Sequence, residues 1–226
     1  MDTDTTRKCS LWPSSVEEGD IVSIPHVGGQ AIPMMDYDLA PYVAKSYVRN
    51  CVEYIAAQDL SLNSKVVKQS LTNPVDKFIN DTGRVMNHEG LELIDKIVEE
   101  YYPNIRKELM HQFAQRKTED DTFQAMEATV HNLCTLASRS GSQVPFSSVN
   151  FGTDISEEGR MITRNILSAQ EKGLGNGEIA IFPISIFKMK RGINDAGSPN
   201  YDLFKLACKV SSERLFPKQK WGNYVI

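Results

Sequence analysis

After residue 140 the chain alternates between short segments rich in β-branched and aromatic residues and longer segments with helical periodicity. We predict strands over 144–149 and 178–188, each followed by a helix, from Ser156 to about Gln170 and from Tyr201 to Phe216. Such alternation favours parallel strands joined by crossover helices, in an α/β layer or barrel. The near-continuous apolar run of the second strand further predicts burial on both faces.

The first half of the chain is mainly helical in pattern, over residues 38–137. The spacing of apolar residues predicts helices at about 38–60, near 75–80, at 91–117 with an interruption at Pro103, and beyond a cap at Thr118–Thr122. A short strand is predicted at 21–24. We expect one domain over 20–217, a polar and disordered leader at 1–19, and a separate tail at 218–226.

Composition excludes several classes of partner. The 226 residues carry 25 Lys and Arg against 29 Asp and Glu, a formal net charge of −4. A protein that coats nucleic acid needs a basic surface, so we expect no nucleic-acid partner. No run of about 18 apolar residues is present, so we expect no membrane span. The polar N-terminus is no secretory signal, which favours the cytoplasm.

The four cysteines do not form a local metal site. Cys9, Cys51, Cys134 and Cys208 are too far apart in sequence for a CxxC-type zinc motif. The three that fall in helical patterns are expected to be free, buried thiols. We therefore predict no catalytic residue and no metal ligand from spacing alone.

The segment that ends the first predicted strand of the second half is a candidate ligand site. It reads Gln143-Val-Pro-Phe-Ser-Ser-Val-Asn-Phe-Gly-Thr-Asp154, just before a helix start. Ligands of α/β proteins bind at the carboxyl ends of strands, where helix N-termini favour phosphate. Ser147, Ser148 and Asn150 could meet ribose or phosphate oxygens. Alternatively, these side chains satisfy backbone groups at the strand end.

Two glycine-rich segments, 173–177 and 28–29, can likewise be interpreted either as structural or as ligand-binding. Gly173-Leu-Gly-Asn-Gly177 lacks the Gly-Lys-Ser/Thr of a phosphate loop and precedes a predicted strand instead of following one. Dense glycine marks a tight turn, or it lets backbone approach a ligand.

Longer strings carry a resemblance to a known family. The string from Gln143 to Asp154, continued by Glu158-Gly-Arg-Met-Ile-Thr-Arg-Asn165, resembles the anaerobic (class III) ribonucleoside-triphosphate reductases. The strings Gly173-Leu-Gly-Asn-Gly-Glu-Ile-Ala-Ile-Phe-Pro-Ile184 and Pro199-Asn-Tyr-Asp-Leu-Phe-Lys-Leu-Ala-Cys208 do so too. The resemblance covers roughly residues 20–217.

The resemblance implies a fold and an activity. It implies part of a ten-stranded α/β barrel with a helical dimer-interface bundle, from a catalytic subunit that reduces ribonucleoside triphosphates to deoxyribonucleotides. In the family a glycyl radical oxidises a cysteine to a thiyl, and a radical S-adenosylmethionine activase makes the radical. The implied partners are the substrate, dNTP or ATP effectors, a second copy of the chain and the activase.

The resemblance also implies binding residues. The substrate or nucleotide residues are Gln143, Ser147, Ser148, Asn150, Asp154, Asn176 and Glu178. Gln30, Lys45 and Arg49 are the candidates for effector binding, because a base on an interface helix could meet a triphosphate.

Several family features have no counterpart in this sequence. The radical-carrying cysteine, the glycyl-radical motif and the structural zinc site all fall outside the matching strings, so we expect no cofactor bound by this chain. We hypothesise an internal fragment of the reductase, inactive alone. The alternative is a non-catalytic nucleotide-binding or regulatory interaction module that associates with an intact reductase.

Overall fold

The computed structural model of the chain describes residues 30–58, 64–135, 146–214 and 216–221, which form six helices and one four-stranded sheet. In chain order the elements are β1 (Gln30–Ile32), α1 (Met35–Gln58), α2 (Ser64–Thr82), α3 (His88–Tyr101), α4 (Lys107–Thr135), β2 (Ser147–Phe151), α5 (Glu157–Lys172), β3 (Ile184–Met189), α6 (Tyr201–Glu213) and β4 (Lys218–Trp221). The mixed α/β class is confirmed. The predicted leader at 1–19 and strand at 21–24 lie outside the described residues.

The sheet is parallel throughout, with its strands in the order β1-β2-β3-β4. Helices cover one face of the sheet, where Val149, Phe151, Phe187 and Met189 pack into an apolar cluster with residues of α1, α4, α5 and α6. A second apolar cluster lies among α1, α2, α3 and α4. None of the helices in the described part of the chain has the length and apolar character needed to cross a bilayer.

Local signals predict α5 and the break before α4. Ser156 caps α5, and its Oγ accepts a hydrogen bond from the Gly159 N–H at 3.1 Å. The interruption at Pro103 is confirmed, because α3 ends at Tyr101 and α4 begins at Lys107.

The predicted cap at Thr118–Thr122 is wrong, because α4 runs through it without a break. Thr118 and Thr122 are both fully buried. The Thr118 hydroxyl donates to the Ala114 carbonyl at 2.6 Å, one turn earlier in the same helix. A threonine can bond back to its own helix in this way, so its hydroxyl does not mark a helix start.

The short helix predicted near 75–80 is also wrong in extent, because α2 has 19 residues and contains Pro74. Leu71, Val75 and Ile79 recur at four-residue spacing and are fully buried in the helical cluster. Their packing maintains the helix across the proline, which removes one internal hydrogen bond.

The strand predicted at 178–188 is shorter and is buried on one face only. β3 begins at Ile184, and its buried residues Ser185, Phe187 and Met189 alternate with partly exposed ones. Helices pack on one side of the sheet, so only every second side chain is covered. The last helix ends at Glu213 instead of Phe216, and it is followed by β4, which the sequence did not predict.

Candidate functional site on the open face of the sheet

The uncovered face of the sheet carries polar and basic side chains from β2, β3 and β4. The register pairs Ser148 with Ile184, Asn150 with Ile186, and Lys188 with Lys220. Paired residues of neighbouring parallel strands share a face. The face opposite the helices, which we name the open face, therefore consists of Ala31, Ser148, Asn150, Ile184, Ile186, Lys188, Lys218 and Lys220.

Two polar side chains of the open face reach the carboxyl end of β1. Asn150 Nδ2 donates to the Ile32 carbonyl at 3.0 Å, and Lys188 Nζ donates to the Pro33 carbonyl at 2.6 Å. An amide and an ammonium fixed in this way can present hydrogen-bond donors to hydroxyl or phosphate oxygens of a ligand.

The turn after β2 is held by a buried carboxylate. Asp36 Oδ2 accepts hydrogen bonds from the backbone N–H groups of Gly152, Thr153 and Asp154, at 2.9, 3.0 and 2.9 Å. Burial raises the pKa of Asp36 above its ordinary value, although the backbone donors act in the opposite direction. Consecutive N–H groups of this kind form an anion-binding nest. Asp36 occupies that nest, so a phosphate would have to displace it.

Asp154 is also engaged within the protein. Its Oδ2 pairs with Arg84 Nη2 at 2.5 Å, and its Oδ1 accepts from the Ser156 N–H at 2.9 Å. The Arg84 guanidinium lies 5.7 Å from the centre of the Tyr37 ring. Asp154 is 3 % exposed. These contacts correspond to the alternative in which strand-end side chains satisfy neighbouring groups.

Two asparagines that sequence reasoning missed complete the support of this turn. Asn194 Nδ2 donates to the Gly152 carbonyl at 2.9 Å, and Asn200 Nδ2 donates to the Asp154 carbonyl at 2.8 Å. Both side chains are buried. They lie in the loop after β3, where asparagine is common for local reasons, so no sequence signal distinguishes them.

The two serines of β2 lie on opposite faces. Ser148 belongs to the open face, whereas Ser147 is buried, and its Oγ has no hydrogen-bond partner in the described part of the chain. The neighbouring candidate Gln143 lies outside the described residues. Of the strand-end residues predicted as ligand contacts, Ser148 and Asn150 are therefore the two that face open space.

The glycine loop lies at the other end of the sheet. It connects α5 to β3 and so precedes the amino ends of the strands, whereas Asp154 follows their carboxyl ends. A strand of five residues separates the two edges by about 13 Å at 3.3 Å per residue. The structure thus does not bring Asn176 and Glu178 together with Asn150 and Asp154.

The loop is closed by its own side chains. Glu178 accepts from the Asn176 N–H at 2.9 Å and from Asn176 Nδ2 at 3.1 Å. Hydrogen bonds from the backbone N–H groups of Glu178 and Asn176 lower the pKa of the Glu178 carboxyl. Arg214 Nη1 donates to the Gly177 carbonyl at 2.9 Å, so the loop is also tied to the end of α6.

The candidate effector residues are separated from the open face. Arg49 pairs with Asp121 of α4 at 2.7 Å, and Lys45 is exposed with its Nζ 6.0 Å from the centre of the Tyr42 ring. Both lie on the solvent side of α1, a helix that covers the other face of the sheet. Gln30 contributes its backbone to β1.

The described residues contain no group of three or more His, Cys, Asp or Glu side chains that could hold a metal ion. Cys51 is fully buried among the helices, and burial raises the pKa of its thiol. Cys134 on α4 is only partly buried and Cys208 on α6 is exposed, so the prediction of buried thiols is wrong for these two residues. None of these three cysteines belongs to the open face.

Lys188, Lys218 and Lys220 were not identified from the sequence. Lys218 and Lys220 alternate around Gln219, which is a strand signal, but the sequence predicts a separate tail at 218–226. Gln219 Nε2 donates to the Ala207 carbonyl of α6 at 3.4 Å, which agrees with the two lysines facing away from the helices.

Comparison with known proteins gives one consistent result. The family described as "Anaerobic ribonucleoside-triphosphate reductase" matches residues 21–224. Curated proteins with that name are similar to parts of the chain. The protein of Enterobacteria phage T4 is 39 % identical over 107 residues, 46 % of this chain and 18 % of the relative.

Two bacterial relatives agree. The proteins of Haemophilus influenzae (strain KW20 / Rd) and Escherichia coli (strain K12) are each 38 % identical over 99 residues, 43 % of this chain and 13 % of the relative. The aligned segment thus spans less than a fifth of each of these relatives.

Proposed function

Because the chain belongs to the anaerobic ribonucleoside-triphosphate reductase family, we propose that it forms part of an oxidoreductase that converts ribonucleoside triphosphates to deoxyribonucleotides. In this proposal the four parallel strands are a sector of a ten-stranded α/β barrel. The open face is directed into the barrel, and the helices form its outer layer.

One observation carries the proposal, namely the difference between the two faces of the sheet. Helices cover one face with an apolar cluster, whereas the open face has hydroxyl, amide and ammonium groups. A nucleotide offers ribose hydroxyls and phosphate oxygens to such groups.

The candidate residues take different roles in this proposal. Ser148 and Asn150 contact the nucleotide directly, and Asp154 maintains the turn that follows them, whereas Ser147 is buried on the covered face of the same strand. Asn176 and Glu178 shape the glycine loop at the opposite edge.

Effector nucleotides and partner chains belong to the helical side. Gln30, Lys45 and Arg49 are proposed to meet an effector dNTP or ATP near α1, where a second copy of the chain would pack. The glycyl radical, the thiyl cysteine, the structural zinc and the site for the activase are assigned to other parts of the reductase, since no described cysteine belongs to the open face.

Nucleotide binding tests the proposal directly. Calorimetry of the purified chain with CTP, dATP, dTTP and dGTP is expected to show micromolar binding of at least one nucleotide. Asn150→Ala and Ser148→Ala should weaken substrate binding by about tenfold each, since each removes a hydrogen bond to a polar ligand. Asn104→Ala, an exposed asparagine between α3 and α4, is the matched control. A folded, monodisperse chain that binds none of these nucleotides would contradict the proposal.

A regulatory module that binds an intact reductase is the second candidate. Phe146 and Ile181 are 68 % and 59 % exposed beside the amino ends of β2 and β3, which favours contact with another chain. Addition of the chain to an intact reductase of this family distinguishes the two functions. A regulatory module should co-purify with the reductase and change its turnover. A chain that is only a part of the barrel should do neither, because an intact reductase already contains that part.

A further inference from the structure

Three lysines converge on one part of the open face. Lys188 of β3 and Lys220 of β4 are direct partners in the sheet register, and Lys218 is the partner of Ile186. Neighbouring strands lie about 4.8 Å apart, and alternate residues of a strand about 6.6 Å apart. The three side chains therefore leave the same side of the sheet from closely spaced positions.

Contacts within the protein explain only part of this arrangement, such as the position of Lys218 Nζ 5.9 Å from the centre of the Phe216 ring. Like charges placed directly opposite each other on neighbouring strands destabilise a sheet. The open face contains no acidic residue, and no ion pair between described residues includes Lys218 or Lys220. The chain as a whole has a net charge of −4, so the three lysines form a local positive surface on an acidic protein.

Protection of a sheet edge explains only part of the pattern. Lysines on an edge strand discourage pairing with another chain, which would account for Lys218 and Lys220 on β4. Lys188 lies on β3, which has neighbours on both sides. Its ammonium is moreover fixed on the open face by the Pro33 carbonyl at 2.6 Å, so it does not extend freely into solvent.

The nest of backbone N–H groups at the carboxyl end of β2 is the usual place for a phosphate in an α/β fold, but the Asp36 carboxylate occupies it. A ligand with several negative charges therefore needs another cationic partner on this face. We propose that Lys188, Lys218 and Lys220 form a polyphosphate-binding site that takes the triphosphate of a nucleotide. In placing the nucleotide on the open face, we rely on the proposed function above.

Anion binding by the intact chain is the first test. Calorimetry is carried out with inorganic tripolyphosphate, with CTP and with cytidine. Tripolyphosphate and CTP should bind and compete with each other, and cytidine should bind at least about tenfold more weakly than CTP. The double variant Lys218→Met/Lys220→Met should bind both anions about tenfold more weakly or worse. The control Lys96→Met/Lys205→Met removes two exposed lysines of α3 and α6 and changes the net charge equally.

Thermal unfolding separates a binding role from a structural one. Without ligand, Lys220→Met should melt at the same temperature as the parent chain or higher, because it removes repulsion from Lys188. Tripolyphosphate should raise the melting temperature of the parent chain and of the control, but not that of Lys218→Met/Lys220→Met. Equal weakening of anion binding by the two double variants would overturn the site, since it would leave only an effect of net charge.

The outcomes also distinguish this site from the proposed function. If CTP binds but Lys218→Met/Lys220→Met leaves its affinity unchanged, the lysine site is wrong and the proposed function stands. If tripolyphosphate binds through the lysines and no nucleotide competes, the polyphosphate site is supported, and its assignment to a nucleotide is wrong.

Discussion

Gly159 lies in the first turn of α5 directly against the side chain of Asp154. A Cβ at position 159 would overlap the Asp154 carboxyl group, which pairs with Arg84 at 2.5 Å. The helix itself does not require glycine here. The residue is required because a buried ion pair occupies the space that any other side chain would need.

We therefore expect Gly159→Ala to displace Asp154 and to lower the free energy of unfolding by about 2–4 kcal/mol. Urea denaturation followed by circular dichroism measures this change. Gly175→Ala is the control, because a Cβ at position 175 has no atom within 4 Å, and its effect should stay within about 0.5 kcal/mol. Equal stability of the two variants would contradict the proposed crowding at Asp154.

The stability of the glycine loop, residues 173–177, should depend on pH because the Glu178 carboxylate closes it. Backbone N–H groups donate to the charged Glu178 carboxylate and lower its pKa. These hydrogen bonds therefore stabilise the loop fully at pH values above the ordinary pKa of glutamate. The stabilisation is lost as the pH falls through the lowered pKa. Asn176→Ala removes the side-chain donor and should raise the pKa of Glu178 towards its ordinary value. Carboxyl-carbon NMR titration tests this, with Asn104→Ala as the control; an unchanged Glu178 pKa in Asn176→Ala would refute it.

At the scale of elements, the connection between α2 and α3 is attached to the start of α5 by a single side chain. Glu158 Oε1 accepts from the Val85 N–H at 2.7 Å and from the Met86 N–H at 2.8 Å. Glu158 is 1 % exposed. This carboxylate thus joins the connection to α5, beside the Arg84–Asp154 pair and the apolar packing of α2 and α3 against α1 and α4.

Glu158→Ala should leave the buried Val85 N–H and the partly buried Met86 N–H without their acceptor and lower the free energy of unfolding by about 2–4 kcal/mol. Hydrogen exchange at Val85 and Met86 should accelerate more than exchange within α2 and α3. The adjacent Glu157 is the matched control, because its side chain is 40 % exposed and its ion pairs are long, 4.0 Å to Arg160 and 3.8 Å to Arg164. Slow exchange retained at Val85 in Glu158→Ala would contradict this role.

Sequence reasoning succeeded for elements with local signals and failed where partners are distant. The Ser156 cap and the break at Pro103 act within a few residues, so α5 and the division between α3 and α4 could be predicted. The start of β3 could not, because Ile179 and Ile181 continue the apolar composition of the strand without belonging to it. Which face of β3 is covered depends on helices elsewhere in the chain.

For the whole molecule, the sheet leaves apolar surface and two strand edges without a partner within the described residues. β1 and β4 each have one neighbour, and Phe146 packs edge-on against Phe182 at 5.1 Å while remaining 68 % exposed. Exposed edges beside apolar side chains favour pairing with further strands. The same feature fits a barrel sector and a module that binds a partner.

We expect the isolated chain to associate with increasing concentration in sedimentation velocity experiments. Phe146→Ser/Ile181→Ser should shift the distribution towards the monomer, because it removes the two most exposed apolar side chains at the amino ends of the strands. Leu109→Ser, at a partly exposed leucine on α4, should have no such effect. A parent chain that stays monomeric at all concentrations would contradict association through Phe146 and Ile181.

The candidate site could be predicted only in part, because some of its residues are far apart in sequence and meet only in the fold. Ser148 and Asn150 follow from the general position of ligands near strand ends, and both face open space. The opposing lysines could not be paired from sequence, since Lys188 and Lys220 become neighbours only through a helical crossover. Nor does any local pattern identify Asp36 as the acceptor for the turn after β2.

The bond between Asp36 and the Gly152 N–H joins residues 116 positions apart. At a synthesis rate of about 5–20 residues per second, the start of α1 would leave the ribosome about 6–23 s before the turn that satisfies its buried carboxylate is made. Contacts of such long range form late in folding. Helix α1 therefore reaches its final state only after β2 and the turn that follows it have been translated.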